Sequence, residues 1–245
     1  KYLKTFLEGI LIISLFLLTN KYKWCIICLR KETTILFDNS CLFLFAFGED
    51  NMGQYFTNEK LPSKVRKTSC IVRGQKFVFL TDNGVFSKDG LDFGSRLVLE
   101  SIPLVEVGAK VLDMGCGYGV FGIVLNKLTK AQIDMVDVNL RALHLTERNI
   151  KENSCTNINV FESNCYSNIN KKYNTIITNP PIRAGKKIVY EILMDAKEYL
   201  EPDGNLFLVI RKEQGAKSLI SDLSEEYNVE VLEKKKGFFV LKCTF

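Results

Sequence analysis

A single histidine, His144, occurs in 245 residues. That excludes a histidine-based metal site, and His144 falls in a stretch of helical character where a surface or half-buried position is expected. One C-x-x-C pair is present, Cys25-Ile-Ile-Cys28, and no second pair exists to complete a zinc site. The apolar run at 10–18 is too short to span a bilayer comfortably, and no small-residue cleavage site of the A-x-A kind follows it. No methionine precedes Met52, and no internal repeat or low-complexity segment is visible. No metal is therefore expected, and no membrane association for residues 52–245.

The eight cysteines are scattered, and most lie inside apolar runs, as Cys116, Cys165 and Cys243 do. They read as small buried residues of a reducing compartment, the cytoplasm, and not as a disulfide framework. The formal net charge of +5 permits a nucleic-acid partner without requiring one.

This length accommodates one large α/β domain plus an appendage. Residues 1–51 do not resemble the rest: apolar bursts recur at 10–18, 25–29 and 41–47, with Lys4 before the first and Lys21 and Lys23 after it. A signal peptide, a membrane anchor and a redox or zinc pair at Cys25 and Cys28 are all readings of this stretch. The preferred reading is upstream sequence ahead of a native start at Met52, where polar, domain-like sequence begins. Peptides from before Met52 in the endogenous protein would exclude it.

The stretch that organises the remainder is Val111-Leu-Asp-Met-Gly-Cys-Gly-Tyr-Gly119. Residues 110–114 have the length and composition of a buried parallel strand, and 120–128 read as a helix. Between them Gly115, Gly117 and Gly119 let the backbone approach a ligand closely, and the following helix offers unpaired N–H groups. The spacing is G-x-G-x-G, not the G-x-G-x-x-G of dinucleotide sites. Asp113, just before the first glycine, would repel a pyrophosphate and suits a ligand with a cationic group, such as S-adenosylmethionine (SAM) with its ammonium and sulfonium. Asp137 ends a second apolar run about 20 residues later, where a carboxylate can accept both ribose hydroxyls.

Residues 52–73 start polar and basic. A hairpin is then expected, with strands at 70–73 and 76–80 around Gly74-Gln75. The glycine-punctuated segment 88–96 reads as a lid-like connector leading into a helix at 95–101. From 107 on, strands at 110–114, 132–137, 157–162, 173–178 and 205–210 alternate with helices at 120–128, 140–153, 186–200 and 214–226. A turn at Glu201-Pro-Asp-Gly204 and a closing hairpin, 229–233 with 238–244, complete the pattern. The fold class expected is α/β: a Rossmann-like, seven-stranded, mostly parallel sheet ending in an antiparallel hairpin, preceded by a small β-hairpin. The domain is 52–245, with the hairpin and lid-like segment at 52–100.

Asn179-Pro-Pro-Ile-Arg-Ala-Gly185 follows the strand at 173–178, at the carboxyl edge where ligands bind in open α/β sheets. Pro180 and Pro181 fix the backbone and remove N–H donors. The Asn179 oxygen and the Pro180 carbonyl can both accept from a single –NH₂ group. Two acceptors aligned with a pyramidal nitrogen would favour the transition state of a conjugated amine over its planar ground state.

The motifs together resemble class I SAM-dependent methyltransferases, specifically N-methyltransferases with an N/D-P-P-Y/F motif. The resemblance is closer still to the small-domain family of 16S rRNA guanine-N2 methyltransferases, across about residues 54–244. Shared stretches are Gly84-Val-Phe-Ser, Gly90-Leu-Asp-Phe-Gly-Ser-Arg96, the glycine loop, Asn179-Pro-Pro-Ile-Arg-Ala-Gly-Lys186 and Arg211-Lys-Glu-Gln-Gly-Ala-Lys217. The resemblance implies that Asp113, Gly115, Gly117 and Gly119 line SAM, that Asp137 holds its ribose, and that Asn179 clamps a guanine amine with Pro180 and Pro181. The partner implied is ribosomal RNA or the small ribosomal subunit.

The chain departs from the family twice. Ile182 stands where many relatives carry a base-stacking aromatic, so base-holding falls partly to Phe93 or Arg183. Asn164 stands where an acid usually meets the adenine amino group, and its amide oxygen can accept that bond without charge. Arg183, Lys186, Lys187, Arg211, Lys212 and Lys234 to Lys236 are candidate phosphate contacts. Cys116 lies in the glycine loop, away from the substrate motif, which argues against a cysteine nucleophile. Two alternatives stay open: an N5-glutamine methyltransferase acting on a release factor, and an inactive SAM- or RNA-binding module.

Overall fold

The computed structural model describes residues 62–245 in full and, before them, the backbone of four strands: β1 (Ser14–Thr19), β2 (Tyr22–Leu29), β3 (Thr33–Asp38) and β4 (Cys41–Phe45). The chain divides into two compact units, Lys1–Met52 and Gly53–Phe245. In the first, the four strands form an antiparallel sheet in chain order. The signal-peptide, anchor and cysteine-pair readings concern side chains outside the described residues, as does the start at Met52.

The described part of the second unit begins with a hairpin, β5 (Arg66–Val72) and β6 (Gln75–Thr81). Its turn is Arg73-Gly74, with φ of 46° and 77°. Positive φ at both central residues is what the tight hairpin turn requires. The turn thus sits one residue earlier than expected, and β5 reaches back into the basic stretch.

Next come α1 (Phe93–Ser101), β7 (Lys110–Met114), α2 (Val120–Thr129), β8 (Gln132–Asp137), α3 (Leu140–Glu152), β9 (Ile158–Glu162) and β10 (Tyr173–Thr178). The chain closes with α4 (Lys186–Met194), α5 (Ala196–Tyr199), β11 (Leu200–Arg211), α6 (Ala216–Leu223), β12 (Asn228–Lys235) and β13 (Phe238–Thr244). The seven-stranded sheet has the order β12-β13-β11-β10-β7-β8-β9. Strands β11 to β9 in that order run parallel, and β13 is antiparallel to both its neighbours. This is the mostly parallel sheet with a terminal antiparallel hairpin that the sequence predicts.

The central strands β8, β7, β10 and β11 are buried through most of their length because both faces are covered, whereas the edge strands β9 and β12 are more exposed. Val111, Ile177 and Phe207 join α1, α2, α3 and the hairpin in one core. Their neighbours Leu112, Ile176 and Leu206 point the other way, into a core with α4, α5 and α6. Adjacent residues go to opposite faces by the two-residue period of a strand.

The hairpin is fastened to α3 by side-chain amides. Asn149 accepts from Leu80 N at 2.6 Å and donates to Leu80 O at 3.0 Å; Asn153 does the same with Val78 at 3.0 and 2.7 Å. Four residues of helix rise about 6 Å and two residues of strand about 6.6 Å, so amides at i and i+4 match alternate residues of β6. The helix acts as a surrogate neighbouring strand.

Three further departures from expectation have a visible structural cause. The helix predicted over 186–200 breaks at Asp195. The Tyr227 hydroxyl takes Lys197 N–H at 3.0 Å and donates to Leu193 O at 2.8 Å, inserting itself between the groups that would pair in an unbroken helix. The turn predicted at 201–204 lies inside β11 as a bulge, with Tyr173 paired to Leu200 and Thr175 to Asn205. Gly215, with φ of 88°, delays the last helix to Ala216. His144 is exposed on α3, and Cys116, Cys165 and Cys243 are buried free thiols. Among the described residues no group of acidic, histidine or cysteine side chains could hold a metal, and no helix is long and apolar enough to cross a membrane.

Candidate functional site

Two loops leave the carboxyl ends of adjacent central strands. Thr178, last in β10, pairs with Met114, last in β7. Asn179 and Gly115 therefore emerge side by side, at the ~4.8 Å spacing of neighbouring strands.

The glycine loop is held from behind. The amides of Gly115 and Cys116 both donate to Val136 O at 2.9 Å, Thr146 Oγ1 donates to Gly117 O at 2.9 Å, and Asn149 Nδ2 donates to Tyr118 O at 2.8 Å. Gly115 and Gly117 have φ of 71° and 56°, and a Cβ at either would meet nothing within 4 Å. Open space lies on the side where a ligand would rest. Gly119 differs: a Cβ there would lie 3.0 Å from Met135 and Thr146, so it serves the close packing of α2.

Asp113 is wholly buried. Its Oδ2 accepts Gly122 N–H at 2.9 Å, while Oδ1 has no hydrogen-bond partner. Burial, aided by the negative charge of Asp137, pushes its carboxyl up to about 7. The same surroundings, burial first and then Asp113 and Asp137, push the Cys116 thiol well up, which keeps it protonated and argues against a nucleophile.

Asp137 stands partly exposed at the end of β8. Its Oδ2 accepts Gly117 N–H and its Oδ1 accepts Asn139 N–H, each at 2.9 Å. The sequence assigns this carboxylate to a ribose; the structure adds that it ties the glycine loop to the start of α3. Each oxygen keeps further acceptor capacity. Asn164 is exposed at the end of β9, just after Ser163, whose N–H donates to Asp137 O at 3.2 Å.

At the second loop, Asn179 Nδ2 donates to Ser95 Oγ at 3.1 Å. Pro181 has φ of −75° and ψ of 77°, an inverse γ-turn closed by Ile182 N–H on Pro180 O at 2.8 Å. The Pro180 carbonyl thus has one lone pair engaged and one left. Ile182 packs against the core, and Arg183 is exposed beside it. The Lys186 ammonium lies 4.6 Å over the Tyr190 ring and 3.9 Å from Asp222. Phe93 opens α1, its ring 5.3 Å from Phe238. Lys236 lies 5.0 Å over Phe93, and Arg211 lies 4.7 Å over Phe238. The structure thereby joins Phe93 to the basic residues at the ends of β11 and β12.

Sequence reasoning missed Ser95, Thr146 and Asn149. The spacing of Asn149 and Asn153 on the inward side of an amphipathic helix was an available signal. Ser95 carried none.

The profile of the methyltransferase small domain family matches residues 76–242. The uncharacterised protein YbxB of Bacillus subtilis (strain 168) is 42% identical over 198 residues, 78% of this chain and 98% of YbxB. Ribosomal RNA small subunit methyltransferase C of Psychromonas ingrahamii is 34% identical over 165 residues, 65% of this chain and 46% of that protein. The solved T. thermophilus 16S rRNA N2 methyltransferase RsmC, in complex with AdoMet and guanosine, superposes with a TM-score of 0.67 at 24% identity, over 76% of this chain and 52% of that one. The chain thus spans nearly all of YbxB but about half the length of the other two. The family match runs from the second strand of the hairpin to the last strand of the sheet and takes in both loops, and the chain belongs to the methyltransferase small domain family.

Proposed function

We propose that this protein is a SAM-dependent N-methyltransferase whose acceptor is the exocyclic N2 of a guanine in small-subunit ribosomal RNA. The observation that carries the reading is the register of Thr178 on Met114, which makes the Asn179-Pro180-Pro181 edge and the glycine loop neighbours.

The residues fit the cofactor. Asp113 Oδ1 is a buried acceptor without a partner, suited to a cationic ligand, and the open side of Gly115 and Gly117 admits a ligand against bare backbone. Asp137 retains acceptor capacity for ribose hydroxyls, and Asn164 is exposed at the adjoining strand end for the adenine amino group. When bound, SAM supplies an electrophilic methyl group on its sulfonium.

Asn179 Oδ1 and the remaining lone pair of Pro180 O accept the two N–H groups of the guanine amine. That orients the nitrogen lone pair and favours a pyramidal nitrogen over a planar one. Held orientation is itself a large factor, with effective molarities of ~10⁵ M or more in oriented systems. The amine proton leaves after the new bond forms, so no general base is required beforehand. Ile182 and Arg183 flank the clamp for base contact. Phe93 and Phe238, with Lys236 over the first ring and Arg211 over the second, suit the stacking and phosphate contacts of RNA, whereas Lys234 lies over Phe239. The name of the Psychromonas ingrahamii relative, ribosomal RNA small subunit methyltransferase C, supports small-subunit ribosomal RNA as the substrate class.

The test is to incubate the full chain with tritiated-methyl SAM and ribosomal subunits from a strain lacking the gene, then digest the RNA to nucleosides. Label in N2-methylguanosine from the small subunit is expected. Label in protein would replace guanine with a glutamine amide, and no label with SAM bound would leave a binding module. Asn179→Ala is expected to lower kcat by about 10²–10³-fold with SAM binding intact; full turnover would remove the clamp.

A further inference from the structure

We infer that Ser95 is a positioning residue for methyl transfer: it anchors the Asn179 amide through Nδ2, so that Oδ1 is the atom presented to the acceptor amine. The inference rests on the reading of Asn179 as the amine clamp.

An asparagine amide is nearly symmetric in shape and opposite in polarity at its two ends. Presented as Oδ1 it accepts an amine N–H; presented as Nδ2 it sets donor against donor. The neighbours must therefore hold one end. Among the described residues the Asn179 side chain makes one hydrogen bond, from Nδ2 to Ser95 Oγ at 3.1 Å.

Ser95 is well placed to be such an anchor because it is itself fixed. It is only 6% exposed. It lies in the first turn of α1, where its N–H is taken by the N-cap Asp92 Oδ1 at 3.0 Å. Gly94, next to it, brings the helix start so close to Phe238 that a Cβ would lie 2.8 Å from that ring. The anchor thus stands on a capped helix end pressed against the sheet. It lies 84 residues from Asn179 in the chain.

The experiment compares the unaltered chain with Ser95→Ala and Ser95→Thr. Steady-state methylation of small subunits gives kcat and KM, calorimetry gives the SAM affinity, and the side-chain NH₂ resonances of Asn179 report its amide. Those resonances are identified as the pair lost in Asn179→Asp. Ser95→Ala is expected to lower kcat by about 10- to 100-fold, with KM and SAM affinity within about twofold, since misplacement of a reacting group acts on the chemical step. Ser95→Thr, which keeps the hydroxyl, is expected to recover most of the rate. The Asn179 amide protons are expected to shift and exchange faster in Ser95→Ala alone.

An unchanged kcat in Ser95→Ala would overturn the proposal. So would a loss shared equally by Ser95→Thr, or Asn179 resonances that do not respond. If the unaltered protein methylates no guanine, the guanine reading fails by itself, and the anchor stands or falls on the amide resonances.

Discussion

Thr178 and Met114 are paired across adjacent parallel strands, and the buried Thr178 hydroxyl also donates to the Met114 carbonyl at 2.8 Å. The last residue of the strand carrying the substrate motif is thereby tied to the last residue of the strand carrying the glycine loop. Thr178→Val keeps the shape and removes that bond. The expected cost is about 1 kcal/mol of unfolding free energy, measured by urea titration. An unchanged midpoint would mean that the hydroxyl holds nothing in place.

Two glycines separate binding from packing. Gly117→Ala places a methyl in open space, at an expected folding cost of about 1–2 kcal/mol for its positive φ, with SAM affinity reduced at least about tenfold. Gly122→Ala drives a methyl to within 2.6–2.8 Å of the buried Met135 side chain. It is expected to cost about 1–3 kcal/mol of stability from overpacking. Calorimetry and thermal melts on both variants check the contrast. Equal affinity in Gly117→Ala would show that no ligand rests there.

Asp113 makes stability depend on pH. The folded protein holds its proton up to about pH 7, whereas an unfolded aspartate releases it near ~3.9. Between these values the folded state binds more protons, so this group's contribution to stability falls as pH rises from about 4 to about 7. Asp137 on β8, the Gly122 N–H on α2 and the Cys116 thiol in the loop are the groups that face it. Asp113→Asn is expected to flatten that slope in denaturant titrations. A cationic ligand favours the ionised carboxyl, so SAM affinity is expected to rise through the same window. A slope identical in Asp113→Asn would assign the pH dependence elsewhere.

The cations over Phe93 and Phe238 predict a salt signature. Arg211→Ala and Lys236→Ala are each expected to weaken RNA binding across sequences. Each is expected to reduce the slope of log affinity against log salt by about 0.7–1 per cation removed. SAM affinity is expected to stay constant. Filter binding at several salt concentrations checks this, and an unchanged slope would turn the RNA path away from the ends of β11 and β12.

The sequence alone determined the alternation of strands and helices, the glycine loop, the strand-end Asp137 and the Asn179-Pro-Pro edge. These are local patterns: apolar periodicity, glycines where the backbone must come close, prolines where it must be fixed. It misjudged the helix break at Asp195, because the cause is the Tyr227 hydroxyl from far along the chain. Only the tertiary structure decided which polar groups meet. Strand order and register made neighbours of Thr178 and Met114, turned Asp137 onto Gly117, and matched Asn149 and Asn153 to β6. They also carried Ser95 to Asn179. A hydrogen-bond partner is chosen by proximity in space, and residues tens of positions apart leave no spacing from which that proximity can be read.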